Sequence, residues 1–190
     1  LITSSTDRTI RIWIVDQARQ LLLYPWFVIN QRIQGFTSNN LTTDVDVWIN
    51  CLDVQDSENL AFHAGDSEGS ILDFKASDNW RQKCEFMLAG DKKRGMHQFG
   101  IIQILDVMKK ESCIFTIGYD QTIKGFGKNK DEFFTMQNPN KCLFTSICWD
   151  DQNKYLYMSD EQGYVYVANV YMAEKFTIKK SVVKCRINKI

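Results

Sequence analysis

The chain has 190 residues, of which 44% are hydrophobic and 13% aromatic. A chain of this length and composition buries a large core, which excludes an intrinsically disordered segment. Lysine and arginine together number 23, as do aspartate and glutamate. This balance excludes a global field that would draw the protein to nucleic acid or to an anionic membrane, so we expect neither as a partner.

The cysteines and the two histidines do not have the spacing of metal ligands. No Cys-x-x-Cys pair occurs among the six cysteines, and neither histidine is grouped with cysteines. Cys51, Cys113 and Cys148 lie within apolar runs, where a thiol behaves as a small hydrophobe. We therefore predict reduced cysteines, no cofactor, and an intracellular, cytoplasmic location.

A hairpin motif opens the chain and then recurs. In residues 1–14, two apolar strands flank a turn in which Asp7 is followed by Thr-Ile, a basic residue and, six positions after the aspartate, a large aromatic residue. Asp120 begins a second copy, and Asp66 and Asp160 begin related turns that contain glycine. Aspartate accepts hydrogen bonds within its own turn, and glycine adopts positive φ at no steric cost. The recurrence predicts a repeat architecture.

Each hairpin belongs to a predicted unit of four strands. We predict first strands at residues 47–53, 101–106 and 145–150, each ending in an apolar residue followed by aspartate. The strands that leave the turns are predicted at residues 9–15, 70–76, 122–127 and 164–170, and the fourth strands at residues 20–24, 83–88, 132–136 and 175–178. A period of roughly 40 to 55 residues per four-stranded unit is typical of propeller blades.

The predicted fold is therefore all-β, an incomplete β-propeller arc of about four four-stranded antiparallel blades. The blades comprise a remnant at residues 1–25, which lacks its inner strand, and units at residues 46–88, 97–137 and 141–180. Residues 26–45 and 89–96 are interpreted as insertion-like loops, with Pro25 at the end of a strand. The residues two before the turn aspartates are mostly small, which predicts a close approach of neighbouring sheets; they are Ser5, Ala64, Gly118 and Met158.

The stretch Ser5-Thr6-Asp7-Arg8-Thr9-Ile10-Arg11-Ile12-Trp13 resembles the second hairpin of the WD40 repeat. The resemblance implies a structural hydrogen-bond tetrad of a histidine, a serine or threonine, the turn aspartate and a tryptophan. One unit matches with His97, Thr116 and Asp120, and has Phe126 in place of the tryptophan. The first unit matches with Thr3, Asp7 and Trp13, whereas the other two units replace the threonine and tryptophan by Phe62 and Phe74, and by Leu156 and Ala168.

Propellers of the WD40 family usually close into a ring, whereas these repeats supply part of one. An open arc exposes apolar sheet faces, which soluble proteins avoid. We therefore expect the chain to belong to a longer WD40-repeat protein or to an assembly, and we expect residues 1–190 expressed alone to aggregate or fold poorly.

No catalytic arrangement is evident in the sequence, so we predict that the protein is not an enzyme. We assign His97 to the structural tetrad and His63 to a strand, so neither is needed as a catalytic residue. The polar residues after Asp150-Asp151 are typical of a turn. The leading interpretation is a non-catalytic scaffold for protein–protein interaction within a large assembly, such as a cytoskeletal or ciliary one. The alternative is a propeller enzyme, or a propeller that binds a small ligand, with its site in the central funnel.

A cationic segment is the candidate binding site for a protein partner. On the geometry that the WD40 resemblance implies, the loop that enters a blade's first strand lies on the same face as the hairpin turns. The predicted partner-binding residues on that face are Arg8, Glu68, Lys92, Lys93, Arg94 and Gln121. We predict that this face meets an acidic partner. The alternative is that the cationic segment is only a solvated connection.

Overall fold

Four antiparallel sheets make up the described part of the chain, which in the computed structural model comprises residues 1–16, 21–30, 47–56, 60–76, 86–88, 95–107, 113–127, 129–169 and 181–182. The first sheet contains β1 (Ile2–Ser4), β2 (Thr9–Asp16) and β3 (Leu21–Asn30). The second contains β4 (Ile49–Asp56), β5 (Ala61–Asp66), β6 (Ile71–Ala76) and β7 (Phe86–Leu88). The third contains β8 (Ile101–Val107), β9 (Cys113–Gly118), β10 (Thr122–Phe126) and β11 (Glu132–Gln137). The fourth contains β12 (Phe144–Asp150), β13 (Tyr155–Asp160), β14 (Tyr164–Asn169) and β15 (Ser181–Val182).

Each sheet is a meander in which strands that follow one another in the chain pair antiparallel. The second, third and fourth sheets each have four strands in sequence order, and three strands of the first sheet are described. The predicted all-β class with four-stranded antiparallel sheets is confirmed. The described residues include no α-helix, and so none that is long and apolar enough to cross a membrane.

Apolar side chains fill the space between successive sheets. The first and second sheets meet at a cluster that includes Ile10, Ile49, Phe62 and Leu72; the second and third meet at Ile71, Ile101, Ile104 and Phe126; and the third and fourth meet at Phe115, Ile123, Ile147, Leu156 and Tyr166. Full burial of one such side chain contributes roughly 1.5–3 kcal/mol. Because the middle sheets are covered on both faces, apolar residues occupy both sides of their strands.

The last described strand of the first sheet differs from the prediction. Pro25 was expected to end a strand, but β3 continues through it to Asn30, with Pro25 opposite Trp13. The register shifts beside this pair, so that Trp26 is left unmatched, as in a β-bulge. Proline is tolerated here because β3 is the outer strand of the described sheet. The prediction of a loop is therefore wrong for residues 26–30, and its remainder, residues 31–45, lies outside the described residues.

The outer strands of the other sheets also differ in extent from the predictions. β7 begins at Phe86, and the predicted residues 83–85 lie outside the described part of the chain. In the fourth sheet, β15 pairs with β14 at Ser181–Val182, whereas the predicted strand at residues 175–178 lies outside the described residues.

Candidate functional site

The turn between the second and third strands of each full sheet is organised by its aspartate. In each case a side-chain oxygen accepts a hydrogen bond from the backbone N–H that leads into the next strand. The bonds, including the equivalent one in the first sheet, join Asp7 to Thr9 at 2.9 Å, Asp66 to Ser70 at 2.7 Å, Asp120 to Thr122 at 3.1 Å and Asp160 to Tyr164 at 2.9 Å. The short turns place Arg8 and Gln121 at positive φ, and the longer ones place Gly69 and Gly163 there. These bonds set the shape of the turns that the sequence repeats.

A histidine links the turn of the third sheet to the segment that precedes its first strand. His97 lies before β8, and its Nε2 is 2.7 Å from the hydroxyl of Thr116 on β9. Its Nδ1 is 2.9 Å from Oδ1 of Asp120, and the same carboxylate accepts the backbone N–H of Gln98 at 3.0 Å. The structure therefore brings together three of the tetrad residues that the WD40 resemblance implied.

The surroundings of His97 favour an uncharged ring. Burial lowers the pKa of His97 below its usual value of 6.5, and the nearby carboxylate of Asp120 opposes this only in part. A neutral ring has a partner at each nitrogen if Nδ1–H donates to Asp120 and Nε2 accepts from the hydroxyl of Thr116. Burial tends to raise the pKa of Asp120, but hydrogen bonds from Thr122 and His97 outweigh it and lower the pKa.

Gly118 makes room for the ring of His97. A Cβ at this position would overlap Nδ1 of His97 and come within 2.9 Å of Oδ1 of Asp120. The sequence predicted a small residue here so that neighbouring sheets could approach. The small residue is instead required by the ring of His97, which packs against Gly118 within the third sheet's own loop and turn.

Phe126 cannot complete this network as a tryptophan would. Its side chain is buried with 1% exposure, but it has no N–H to donate. In the first sheet the tryptophan is present, and the indole N–H of Trp13 donates to the hydroxyl of Thr3 at 2.8 Å. In the second sheet Phe62 and Phe74 stack with ring centroids 4.8 Å apart, so an apolar contact takes the place of a hydrogen bond.

The fourth sheet has its own network, which the sequence reasoning missed. The hydroxyl of Tyr166 donates to Oδ2 of Asp160 at 2.7 Å. The side-chain amide of Asn140 donates to the same Oδ2 at 3.0 Å and to the hydroxyl oxygen of Tyr166 at 2.7 Å. Asn140 lies four residues before its sheet's first strand, as His97 does in the third sheet. That shared offset is the signal that would have identified it.

The turns of the second, third and fourth sheets lie at one end of the molecule, beside the start of each sheet's first strand. Backbone hydrogen bonds join Ser67 to Trp48, Tyr119 to Gly100 and Glu161 to Leu143. One further bond crosses between sheets, from His97 N–H to Gly69, and another, from Asn138 N–H to Gln121, extends the pairing of β10 with β11 within the third sheet. We call this end, formed by residues 66–69, 97–100, 118–121, 138–143 and 160–163, the turn face.

Two aromatic side chains are exposed on the turn face. Phe99 is 59% exposed and Tyr119 is 53% exposed. The N–H of Tyr119 donates to the carbonyl of Gly100 at 2.9 Å, so the two aromatic residues are held on adjoining backbone. The sequence reasoning did not single them out, although each is a large apolar residue inside a short polar turn or loop.

The predicted partner-binding residues are described in part. Glu68 and Gln121 lie in the turns of the turn face, and Arg8 lies in the equivalent turn of the first sheet. Lys92, Lys93 and Arg94 lie outside the described residues, so their position relative to the turn face stays a prediction.

The second histidine belongs to a different set of contacts. His63 lies on β5, with Nδ1 2.7 Å from Oδ1 of Asp73 and Nε2 3.7 Å from Oδ2 of Asp106. The sequence assigned it only to a strand. The contact with Asp73 lies within the second sheet, whereas the contact with Asp106, which belongs to β8, joins the second and third sheets.

The described residues contain no group of three or more histidine, cysteine or acidic side chains that fits a metal ion. Among the described cysteines, Cys51, Cys142 and Cys148 are free thiols. Burial raises the pKa of Cys51 to about 12, which makes it a poor nucleophile. Asp150 accepts the backbone N–H groups of Gln152 and Asn153, the geometry of a turn.

Comparison with known proteins identifies the fold. No protein-family model and no curated protein matches the chain. Among solved structures, the chain is similar to Saccharomyces cerevisiae Sqt1, a WD40 protein, with a TM-score of 0.66 and 11% sequence identity. The alignment covers 97% of this chain and 48% of the Sqt1 chain, so the chain spans about half the length of that structure. At this identity the likeness shows the fold alone, which is that of a partial β-propeller of WD40 type.

Proposed function

We propose that the protein is a non-catalytic scaffold that binds another protein through the turn face. The observation that carries this proposal is the pair of exposed aromatic side chains, Phe99 and Tyr119, at 59% and 53% exposure. Large aromatic residues contribute most of the binding free energy at many protein interfaces, since they bury much area at a small cost in conformational entropy.

The backbone beneath the two aromatic residues is held in place, which favours binding. The N–H of His97 donates to the carbonyl of Gly69, and Gly100 accepts from Tyr119. A Cβ on Gly69 would lie 2.5 Å from the carbonyl oxygen of Phe99, so the two sheets are packed closely at this point. A surface that is already ordered loses little entropy when a partner docks.

The histidines support a role without chemistry, because both are engaged in structural contacts. Both ring nitrogens of His97 face hydrogen-bonding partners, and His63 lies among carboxylates between sheets. The propeller architecture adds to this argument, since it presents loop-built faces. We extend the proposal to a role in a larger WD40-repeat protein or assembly in the cytoplasm, with a cytoskeletal or ciliary assembly as a further, untested part.

The charge of the partner is a finer part of the proposal. Lys92, Lys93 and Arg94 are three consecutive cations in an otherwise balanced chain, and they directly precede the segment that contains His97 and Phe99. They favour an acidic partner. Their contribution falls mainly on the association rate, because exposed ion pairs add only about 0.2–1 kcal/mol each.

The test compares exposed aromatic residues at opposite ends of the molecule. Partners that co-purify with the protein from its source cells are identified and purified, and their dissociation constants are measured against three variants. Phe99→Ser combined with Tyr119→Ser should weaken binding at least about tenfold. Tyr155→Ser is the control, because Tyr155 is 36% exposed at the start of β13, away from the turn face.

Reversal of the three cations to glutamate should slow association several-fold at low salt and leave the melting temperature unchanged. If the reversal has no effect, the acidic-partner proposal fails and the scaffold proposal stands. If the aromatic double variant binds as well as the wild type, the assignment of the turn face is wrong.

A further inference from the structure

A cluster of ionisable side chains lies between the second and third sheets. Asp53, His63 and Asp73 are direct neighbours across β4, β5 and β6. Directly opposed residues project from the same face of a sheet, so all three side chains point toward the third sheet. Asp106 on β8 and Lys130, in the connection between β10 and β11, reach the cluster from that sheet.

The contacts join the two sheets at several points. The His63 ring bridges the sheets, with Nδ1 2.7 Å from Asp73 and Nε2 3.7 Å from Asp106. Lys130 Nζ of the third sheet lies 2.6 Å from Oδ2 of Asp73 in the second. The backbone N–H of Asp106 donates to Oδ2 of Asp53 at 2.5 Å.

The balance of charge in the cluster depends on one proton. Three carboxylates face Lys130 and His63, and neither carboxylate oxygen of Asp106 has a hydrogen-bond partner, although its side chain is only 1% exposed. A buried carboxylate without a partner is strongly destabilising unless a positive charge lies close to it. The imidazolium form of His63 places a positive charge on Nε2, 3.7 Å from Oδ2 of Asp106.

The proton affinities agree with this geometry. Burial alone lowers the pKa of His63, but the carboxylates of Asp106 and Asp73 outweigh burial and raise the pKa to about 9. Burial, together with the nearby charge of Asp106, raises the pKa of Asp53 above its usual value. The pKa of Asp73 is lowered, because hydrogen bonds from His63 and Lys130 outweigh the effect of burial.

We propose that Asp53, His63, Asp73, Asp106 and Lys130 form a proton-dependent latch between the second and third sheets. With the proton on His63, two cations face the three carboxylates and hold the sheets together. Without it, Lys130 alone faces them, and the repulsion between Asp53 and Asp106 is left in a buried space. Loss of one proton therefore weakens this interface.

The pH dependence of the latch follows from the direction of the shift. Because the folded-state pKa of His63 is raised from 6.5 to about 9, the stabilisation is complete below pH 6.5 and is lost as the pH rises through 9. Asp53 acts in the same direction, since its raised pKa favours the protonated form and its charge opposes folding at higher pH.

The latch lies between the same two sheets that hold Phe99. Gly69 of the second sheet contacts the His97–Phe99 segment of the third. The latch and the turn face therefore lie along the same interface between sheets. The latch itself does not depend on the proposed function.

Urea unfolding in reducing buffer, from pH 6.5 to 9.5, tests the latch, with the chain kept in the longer protein or assembly to which we expect it to belong. The unfolding constant of the wild type should rise by about 100-fold more over this range than that of His63→Gln, which cannot titrate. Both proteins contain the same six cysteines, so thiol ionisation contributes equally to both. Asp151→Asn is the control, because the side chain of Asp151 is 76% exposed and lies outside the cluster. It should follow the wild type.

A second variant keeps the proposal falsifiable if His63→Gln does not fold. Asp106→Asn removes one carboxylate, so the pH at which stability is lost should shift downward by a unit or more. Asp53→Asn should unfold less readily than the wild type at pH 8, because it removes a repulsion. The latch is overturned if the pH profile of the wild type has no more slope than that of His63→Gln, or if Asp106→Asn leaves the profile where it was.

Discussion

The two histidines of this chain are buried to a similar degree and bind protons very differently. His97 is 2% exposed and its pKa is lowered, whereas His63 is 6% exposed and its pKa is raised to about 9. Burial lowers the pKa of both. The difference therefore arises from the acidic groups beside each ring and from how well those groups are already satisfied.

At the turn face, His97 has one carboxylate beside it, and that carboxylate has other donors. Asp120 accepts the N–H groups of Gln98 and Thr122 and the hydroxyl of Thr122. Between the sheets, His63 has two carboxylates beside it, and one of them, Asp106, accepts no hydrogen bond. A carboxylate that already accepts several hydrogen bonds stabilises a neighbouring imidazolium only weakly. A carboxylate without hydrogen-bond donors stabilises it strongly and so raises the pKa of the histidine.

The largest expected effect concerns the space around His97. Gly118→Ala should lower the free energy of unfolding by roughly 3 kcal/mol, because the new methyl group overlaps the ring and forces it away from Asp120. Gly127→Ala is the matched control, since the nearest atom to its Cβ is 4.0 Å away, and it should change stability by less than about 0.5 kcal/mol. Urea unfolding at neutral pH measures both.

Equal stabilities for the two glycine variants would show that the His97 site adapts freely. The comparison between the pKa values of His97 and His63 would then not hold, because a site that rearranges freely does not keep its histidine in one ionisation state.

A smaller effect is expected when the turn aspartates are exchanged. Asp120→Ala should cost about 1–3 kcal/mol, because it leaves the buried ring N–H of His97 without an acceptor and also removes the acceptor of the exposed Gln98 N–H. Asp7 occupies the same position in the first sheet, where it accepts from Thr9 and Arg11 near the surface. Thermal melting should show a clearly smaller loss for Asp7→Ala. Equal losses would mean that the turn alone, without the histidine, accounts for the role of Asp120.

The sequence could reveal the turn sites because their residues keep fixed offsets. The positions of His97, Thr116 and Asp120 relative to the predicted strands follow the WD40 pattern, and the structure brings them together. Asn140 and Tyr166 were missed because an amide takes the place of the histidine, and because the phenol lies two residues before Ala168, which occupies the tryptophan position. Their hydrogen-bonding groups do the same work with different chemistry.

The latch could not be predicted, because no local pattern encodes it. Its residues meet through the register of β4, β5 and β6 and through the stacking of one sheet on the next. Both depend on how many residues each turn contains and where each bulge falls. Pro25 is a second example. The sequence could not predict that β3 continues through this proline, because that depends on β3 being an outer strand with a bulge beside Pro25.

NMR titration of the Cε1–H signals of the two buried histidines decides whether their pKa values are shifted in opposite directions. The chain contains only these two histidines, and the spectrum of His63→Gln assigns them. One signal, from His63, should titrate near pH 9, and the other, from His97, below 6.5. A His63 signal that titrates at or below 6.5 would contradict the account, because the carboxylates between the sheets would then not hold a proton on the ring.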